Sequence, residues 1–249
     1  MYKDGKQYDK FILNGKTYDK FYLNNKQYGG GYVPFATPIL DIDFQNNFID
    51  KSPSALTMVQ GKGLPTFGLS GRKAGEYCVN FNSLQSIKTT TNLPLNSDKV
   101  CIKFWMKTSQ SGNGMISELS QKVPSNNGFY IVTNETQQGI SVLNSNGSSF
   151  NDKSGAYNIT ANSWLHVIVA INRANSATNE IKIYIEGLPI SLIIMYANNE
   201  LSQNFINNIL YIGQRAGTSV GYVGSLMKYQ VFNQAPTDEQ AMEMYLNDL

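Results

Sequence analysis

Between Ile39 and Phe232 apolar residues recur at alternate positions, in short runs separated by turn residues, and no stretch there keeps helical spacing. This alternation constrains the chain most, because a strand that is apolar on one face must bury that face against another layer. Residues 99–107 show it most clearly: Val100, Ile102, Phe104 and Met106 share one face. Similar runs cover 40–44, 77–81, 128–133, 139–143, 164–172, 180–186, 188–196, 209–213 and 224–232. The stretches 164–172 and 180–186 read as a hairpin. About ten strands without intervening helices make an all-β chain of two packed antiparallel sheets.

One helix closes the chain. Thr237 precedes Asp238 and Glu239, and Gln240 stands three residues after it. This is a capping box with acids in the first turn, followed by an apolar stripe of Ala241, Met244 and Tyr245 that seals the sandwich.

The first 28 residues differ in kind. KDGKQYDKFI, LNGKTYDKFY and LNNKQYGGG repeat with a period of ten. Asp-Gly, Asn-Gly and Asn-Asn followed by Lys suit two-residue type I′ turns. The strands between them run over 6–13 and 16–23 in a small β-meander. A turn at Asn14-Gly15 sets Leu13 opposite Lys16 and Phe11 opposite Tyr18, and pairs Lys10 with Asp19 and Asp9 with Lys20. So short a segment cannot bury Tyr8, Phe11, Tyr18, Phe21, Tyr22 and Tyr28 alone. These side chains pack either on the following domain or on another chain. Gly29-Gly30-Gly31, Pro34 and Pro38 make residues 29–38 a linker, which favours attachment or oligomerisation. The domains expected are therefore the meander 1–28, the linker and a sandwich over 39–249.

Composition excludes several functions. A net charge of +2 with 15% charged residues gives no field to steer nucleic acid. No apolar run is long enough for membrane insertion, and the N-terminus lacks the apolar core of a signal peptide. Synthesis without export is expected, which makes the triplets at Asn134, Asn146 and Asn158 chance matches to a glycosylation motif. Cys78 and Cys101 are either two core residues or one bridge.

The order of segments resembles the concanavalin A-like, laminin G-like jelly roll over most of 39–249. LDIDF at 40–44 is similar to the family's first strand, and Asp50-Lys51-Ser52 to its Asp-x-Ser turn. GRKAGEYCVNF at 71–81 and VCIKFWMKTS from Val100 resemble the next family segments. Trp164-Leu165-His166-Val167 followed by IKIYIEG at 181–187 is the most specific stretch. The segment from Tyr211 to Tyr245 resembles the Gly-rich strand and closing helix.

The resemblance implies a jelly-roll sandwich, a sugar site and calcium at the rim, with Asp41, Asp43 and Asp50 as ligands. Met227 stands where many relatives carry Asp, which departs from a calcium-binding pattern. No other cofactor is expected. His166 is implied to be a strand residue beside the core. The paired-carboxylate strand Glu-x-Asp-x-x-Glu of jelly-roll glycosidases is missing, so no catalytic residue and no enzyme activity are expected. A sugar needs an aromatic platform beside amide and hydroxyl donors. Three loops supply them: 126–130 with Asn127 and Tyr130, 150–157 with Tyr157, and 215–222 with Arg215 and Tyr222.

Together these features suggest a bacteriophage virion protein at the particle surface, a fibre, decoration or receptor-binding appendage. The meander would hold other virion proteins or form a homo-oligomer, a trimer by preference, and the jelly roll would bind host or environmental glycans. A purely structural decoration protein and an accessory module of a separate hydrolase remain as alternatives.

Overall fold

The computed structural model describes residues 35–249, apart from 46, 121–122, 135–138, 198–199, 202 and 216–219, together with the backbone of six short strands that precede them. Those six are β1 (Tyr2–Lys3), β2 (Lys6–Gln7), β3 (Phe11–Leu13), β4 (Lys16–Tyr18), β5 (Phe21–Leu23) and β6 (Lys26–Tyr28). They pair in order as three separate hairpins. Phe11 lies opposite Tyr18 and Leu13 opposite Lys16, the register read from the turn residues. The eight-residue strands are described only as short halves, each paired within its own hairpin, so a continuous meander is not seen among the described residues. Tyr8, the side chains of Phe11, Tyr18, Phe21, Tyr22 and Tyr28, and the pairs Lys10–Asp19 and Asp9–Lys20 lie outside the described residues.

The sandwich opens with β7 (Leu40–Ile42), β8 (Met58–Gln60), β9 (Thr66–Ser70), β10 (Tyr77–Phe81) and β11 (Ile87–Thr89). It continues with β12 (Lys99–Thr108), β13 (Gly114–Leu119), β14 (Asn127–Asn134), β15 (Gly139–Asn146) and β16 (Phe150–Gly155). Then come β17 (Leu165–Asn172), β18 (Ile181–Ile185), β19 (Leu188–Pro189), β20 (Leu192–Ala197), β21 (Leu210–Ile212), β22 (Gly224–Phe232) and α1 (Asp238–Asp248). The first sheet runs β19-β18-β17-β12-β22-β10-β9, with β7 on the remaining length of β22. The second runs β20-β16-β15-β14-β13-β21-β11-β8. Both are antiparallel throughout, and the architecture is a jelly-roll sandwich.

Val100, Ile102, Phe104 and Met106 of β12 all lie in the core between the sheets. Each such side chain, fully buried, contributes roughly 1.5–3 kcal/mol. The opposite face of β12 is also covered: Cys101 packs with Ala241 and Met244 of α1, and Trp105 with Tyr245. The capping box of α1 is formed, Thr237 Oγ1 accepting from the Gln240 amide at 3.2 Å and Gln240 Oε1 from the Thr237 amide at 2.9 Å. Gly187 completes the turn between β18 and β19 at φ +78°, and a Cβ there would stand 3.0 Å from Met242 of α1. Both cysteines are buried and unbridged.

Residues 188–196 do not form one strand. The chain leaves the first sheet after β19 and enters the edge of the second as β20, so Ile190 and Ser191 mark a crossing between layers. The segments 126–130 and 150–157, expected as loops, are largely β14 and β16.

Candidate functional site

The outer face of the second sheet carries a patch of side chains whose neighbours follow from register. In β14, Phe129 and Ile131 point into the core, which turns Tyr130 and Val132 outward; in β15, Ile140 and Val142 point inward, which turns Ser141 and Leu143 outward. In β16 the inward Lys153 donates to the Thr178 carbonyl at 2.7 Å, leaving Asp152 and Ser154 on the outer face. Cross-strand pairing then aligns Tyr211, Glu118, Tyr130, Leu143, Asp152 and Tyr196 in one row. The next row is Val132, Ser141, Ser154 and Ile193. Small or short side chains on β15 and β16 lie between bulky ones on β14 and β20. The stretch between Tyr130 and Tyr196, the candidate groove, thus has shorter and largely buried side chains between two tyrosines.

Its electrostatics are uneven. Glu118 is fully buried, and Arg215 Nε stands 3.5 Å from its Oε1. The Val123 amide donates to the same oxygen at 3.3 Å. The Arg215 guanidinium also lies 5.8 Å from the Tyr130 ring centre and donates to the Val123 carbonyl. Burial, aided by the Asp152 charge, pushes the Tyr130 phenol up to about 12. Burial also raises Asp152 above the usual carboxylate range. Asp152 Oδ1 and Ser154 Oγ are buried atoms without a hydrogen-bond partner in the protein. Such groups cost about 1–3 kcal/mol each when left unpaired. Beside them Phe150 stacks on Tyr196, ring centres 4.5 Å apart and planes 21° apart.

Of the residues expected from sequence to meet a sugar, Tyr130 and Arg215 come together here. Asn127 does not join them: its Oδ1 accepts from Arg173 Nη1 at 3.0 Å, inside the polar end of the core. Arg173 is itself buried there over the Phe205 ring, and desolvation pushes its guanidinium down to about 9. Tyr222 is wholly buried, its hydroxyl 3.1 Å from the Lys107 carbonyl, so it presents no atom to a ligand. Tyr157 packs against the core beyond the end of β16. Phe150, Asp152 and Ser154 lie in the segment 150–157 expected to meet a sugar, though Tyr157 is the residue named there; Tyr196 lies in the run 188–196 read only as a strand, and Glu118 carries no signal in the sequence.

The rim acids do not fit a cation. Asp50 uses both oxygens to accept from protein donors: the Asp41 and Ser52 amides on Oδ1 at 2.9 and 2.8 Å, the Leu56 amide and Ser52 hydroxyl on Oδ2 at 2.7 and 2.9 Å. Asp43 pairs with Lys51, and burial raises Asp41 above the usual carboxylate range. No cluster of three or more His, Cys, Asp or Glu suited to a metal occurs among the described residues. His166 is buried in β17 with Nε2 3.2 Å from Asp248 Oδ2, beneath α1. A second concavity of 410 Å³ lies where α1 begins, lined by Asn172, Asn175, Asn179, Lys182 and Asp238 among others. Lys182 and Tyr184 already hold Asp238 Oδ1 there, at 2.9 and 3.0 Å.

A family model described as the Concanavalin A-like lectin/glucanases superfamily matches residues 81–242, well over half the chain. No curated protein matches the sequence. Among solved structures, the receptor binding domain of the botulinum neurotoxin C/D mosaic serotype is similar at 15% identity and TM-score 0.63, over 84% of this chain and 51% of that one. The botulinum neurotoxin serotype D ligand binding domain, solved in complex with N-acetylneuraminic acid, is similar at 15% identity and TM-score 0.62, over 84% and 50%. The botulinum neurotoxin DC binding domain, solved with rat synaptotagmin II, is similar at 15% identity and TM-score 0.61, over 84% and 51%. The chain thus spans about half the length of these solved chains, and the likeness is one of fold.

Proposed function

The chain belongs to the concanavalin A-like lectin/glucanase superfamily, and from that premise we propose that the groove along β15 and β16 binds glycan without cleaving it. The observation that carries this reading is the half-buried Asp152 carboxylate, one oxygen of which has no hydrogen-bond partner, on a cross-strand row that has Tyr130 on one side and Tyr196 on the other. A sugar ring offers apolar C–H faces to aromatic walls and hydroxyl donors to such acceptors. The sialic acid complex of a protein with this fold supports the class of ligand.

Hydrolysis would need two carboxyl groups flanking one bond, about 5–9 Å apart, one of them free to donate a proton. Glu118 is instead fully buried and paired with Arg215, which leaves Asp152 as the acid of this row without a cation beside it among the described residues.

The wider role we propose is a virion-surface appendage, of a bacteriophage, that displays this face. Three hairpins in a ten-residue period support it as the segment that attaches the domain to other virion proteins or to further copies of the chain, a trimer by preference.

A glycan array on the purified protein tests the binding reading. Tyr196→Ala is expected to weaken the bound glycans by about tenfold, the worth of one good aromatic contact. Binding unaffected by Tyr196→Ala removes the groove from the account. An array without any signal favours a purely structural role.

A further inference from the structure

We infer that the groove selects glycans bearing a free protonated amino group, hexosamine oligomers, over acetylated or acidic ones; this rests on the glycan-binding reading above. The two acids on the outer row are not equivalent. Glu118 has its cation in Arg215, whereas Asp152 forms no ion pair with any described residue.

Among the described residues, the nearby cations are engaged elsewhere. Lys153, next in sequence, points to the opposite face and donates to the Thr178 carbonyl at 2.7 Å. Arg215 is held by Glu118 and the Val123 carbonyl, and Lys88 lies 5.8 Å from the Tyr211 ring centre at the far end of the row. A half-buried carboxylate without a cation is satisfied best by a ligand that brings one. The surroundings suit an ammonium: Tyr196 stands across from Asp152, and its stacked partner Phe150 adds a second π system. Successive pyranose rings of an oligomer find separate platforms on Tyr130 and Tyr196, which stand three strand spacings, about 14 Å, apart. A uronate or sialate would instead set its carboxylate against Asp152.

Calorimetric titration of the full chain tests this, using the glucosamine trimer, the N-acetylglucosamine trimer, a glucuronate-bearing trisaccharide and trilysine, at a pH that keeps the amines protonated. The glucosamine trimer is expected to bind about tenfold more tightly than the acetylated one, the gain of a charge-assisted over a neutral hydrogen bond. The uronate is expected to bind weakest and trilysine far more weakly than the glucosamine trimer. Asp152→Asn, checked for an unchanged melt, should bring the two trimers to within about twofold of each other. Equal or tighter binding of the acetylated trimer or the uronate overturns the inference but leaves the glycan reading standing. A preference that survives Asp152→Asn, or trilysine binding as well as the sugar, also overturns it. No binding by any saccharide overturns both readings.

Discussion

Glu118 and Asp152 lie on one cross-strand row of the second sheet, separated by Tyr130 and Leu143, and among the described residues only Glu118 has a cation beside it. This asymmetry divides the row into a part held to Arg215 and a part that the proposed function assigns to a ligand.

The first prediction concerns the closed part. Arg215→Met leaves the Glu118 carboxylate buried with its charge uncompensated. The expected loss is about 1–3 kcal/mol, below the figure for a fully buried pair because the arginine is partly exposed. Glu118→Gln on the Arg215→Met background should recover most of it. Urea unfolding of the three variants measures both steps, and a double mutant no better than Arg215→Met would show that the pair is not coupled.

Acid should loosen the helix side of the sandwich. Burial opposes ionisation of Asp248, but the Lys103 ammonium at 2.7 Å and the His166 hydrogen bond outweigh it and hold the carboxyl well below the usual range. Burial lowers His166 too, against the pull of Asp248. Both groups therefore bind a proton less readily folded than unfolded. The stability they contribute is complete above their unfolded values, about 6.5 and about 3.9, and is lost as pH falls below each. The urea midpoint should fall between about pH 7 and about pH 5, and again below about pH 4. Asp248→Asn should lower it at neutral pH and remove the second fall. A midpoint flat from neutral to acid pH would contradict this.

These elements differ in how far the sequence reveals them. β12 is legible because Val100, Ile102, Phe104 and Met106 alternate against the core, and α1 because its capping box is local chemistry. β16 is not legible. Its inward residues, Asn151 and Lys153, serve a polar end of the core around Glu180, and its outward ones, Asp152 and Ser154, floor the groove, so no apolar alternation remains. The run 188–196 reads as one strand because alternation says nothing about which sheet a residue joins. Tyr130 and Arg215 stand out as an aromatic and a cation in polar stretches. Their meeting depends on a register between β13, β14 and β21 that no local signal supplies. Tyr222 and Asn127 look the same in sequence, and only packing shows that they are internal.

Thiol chemistry gives a simple check of the core. Cys101 is fully buried, Cys78 nearly so, and burial raises both thiols. Neither should react with a thiol reagent in the native protein, and both should react in denaturant. Rapid native labelling at Cys101 would contradict the packing of α1 on β12.

The attachment reading predicts a change in assembly. Phe11→Ser with Phe21→Ser should lower the mass in solution measured by light scattering, with the sandwich melt unchanged, because an aromatic interface is lost. An unchanged mass and unchanged incorporation into particles would mean that the repeat serves its own domain alone.

The central claim is that glycan enters the groove between Tyr130 and Tyr196. Amide chemical-shift mapping with the saccharide that binds most tightly tests it directly. The largest shifts are expected at Tyr130, Ser141, Leu143, Asp152, Ser154 and Tyr196. Shifts centred instead on Asn172, Asn175, Asn179 and Asp238 would place the ligand in the concavity beside α1 and contradict the assignment of the groove.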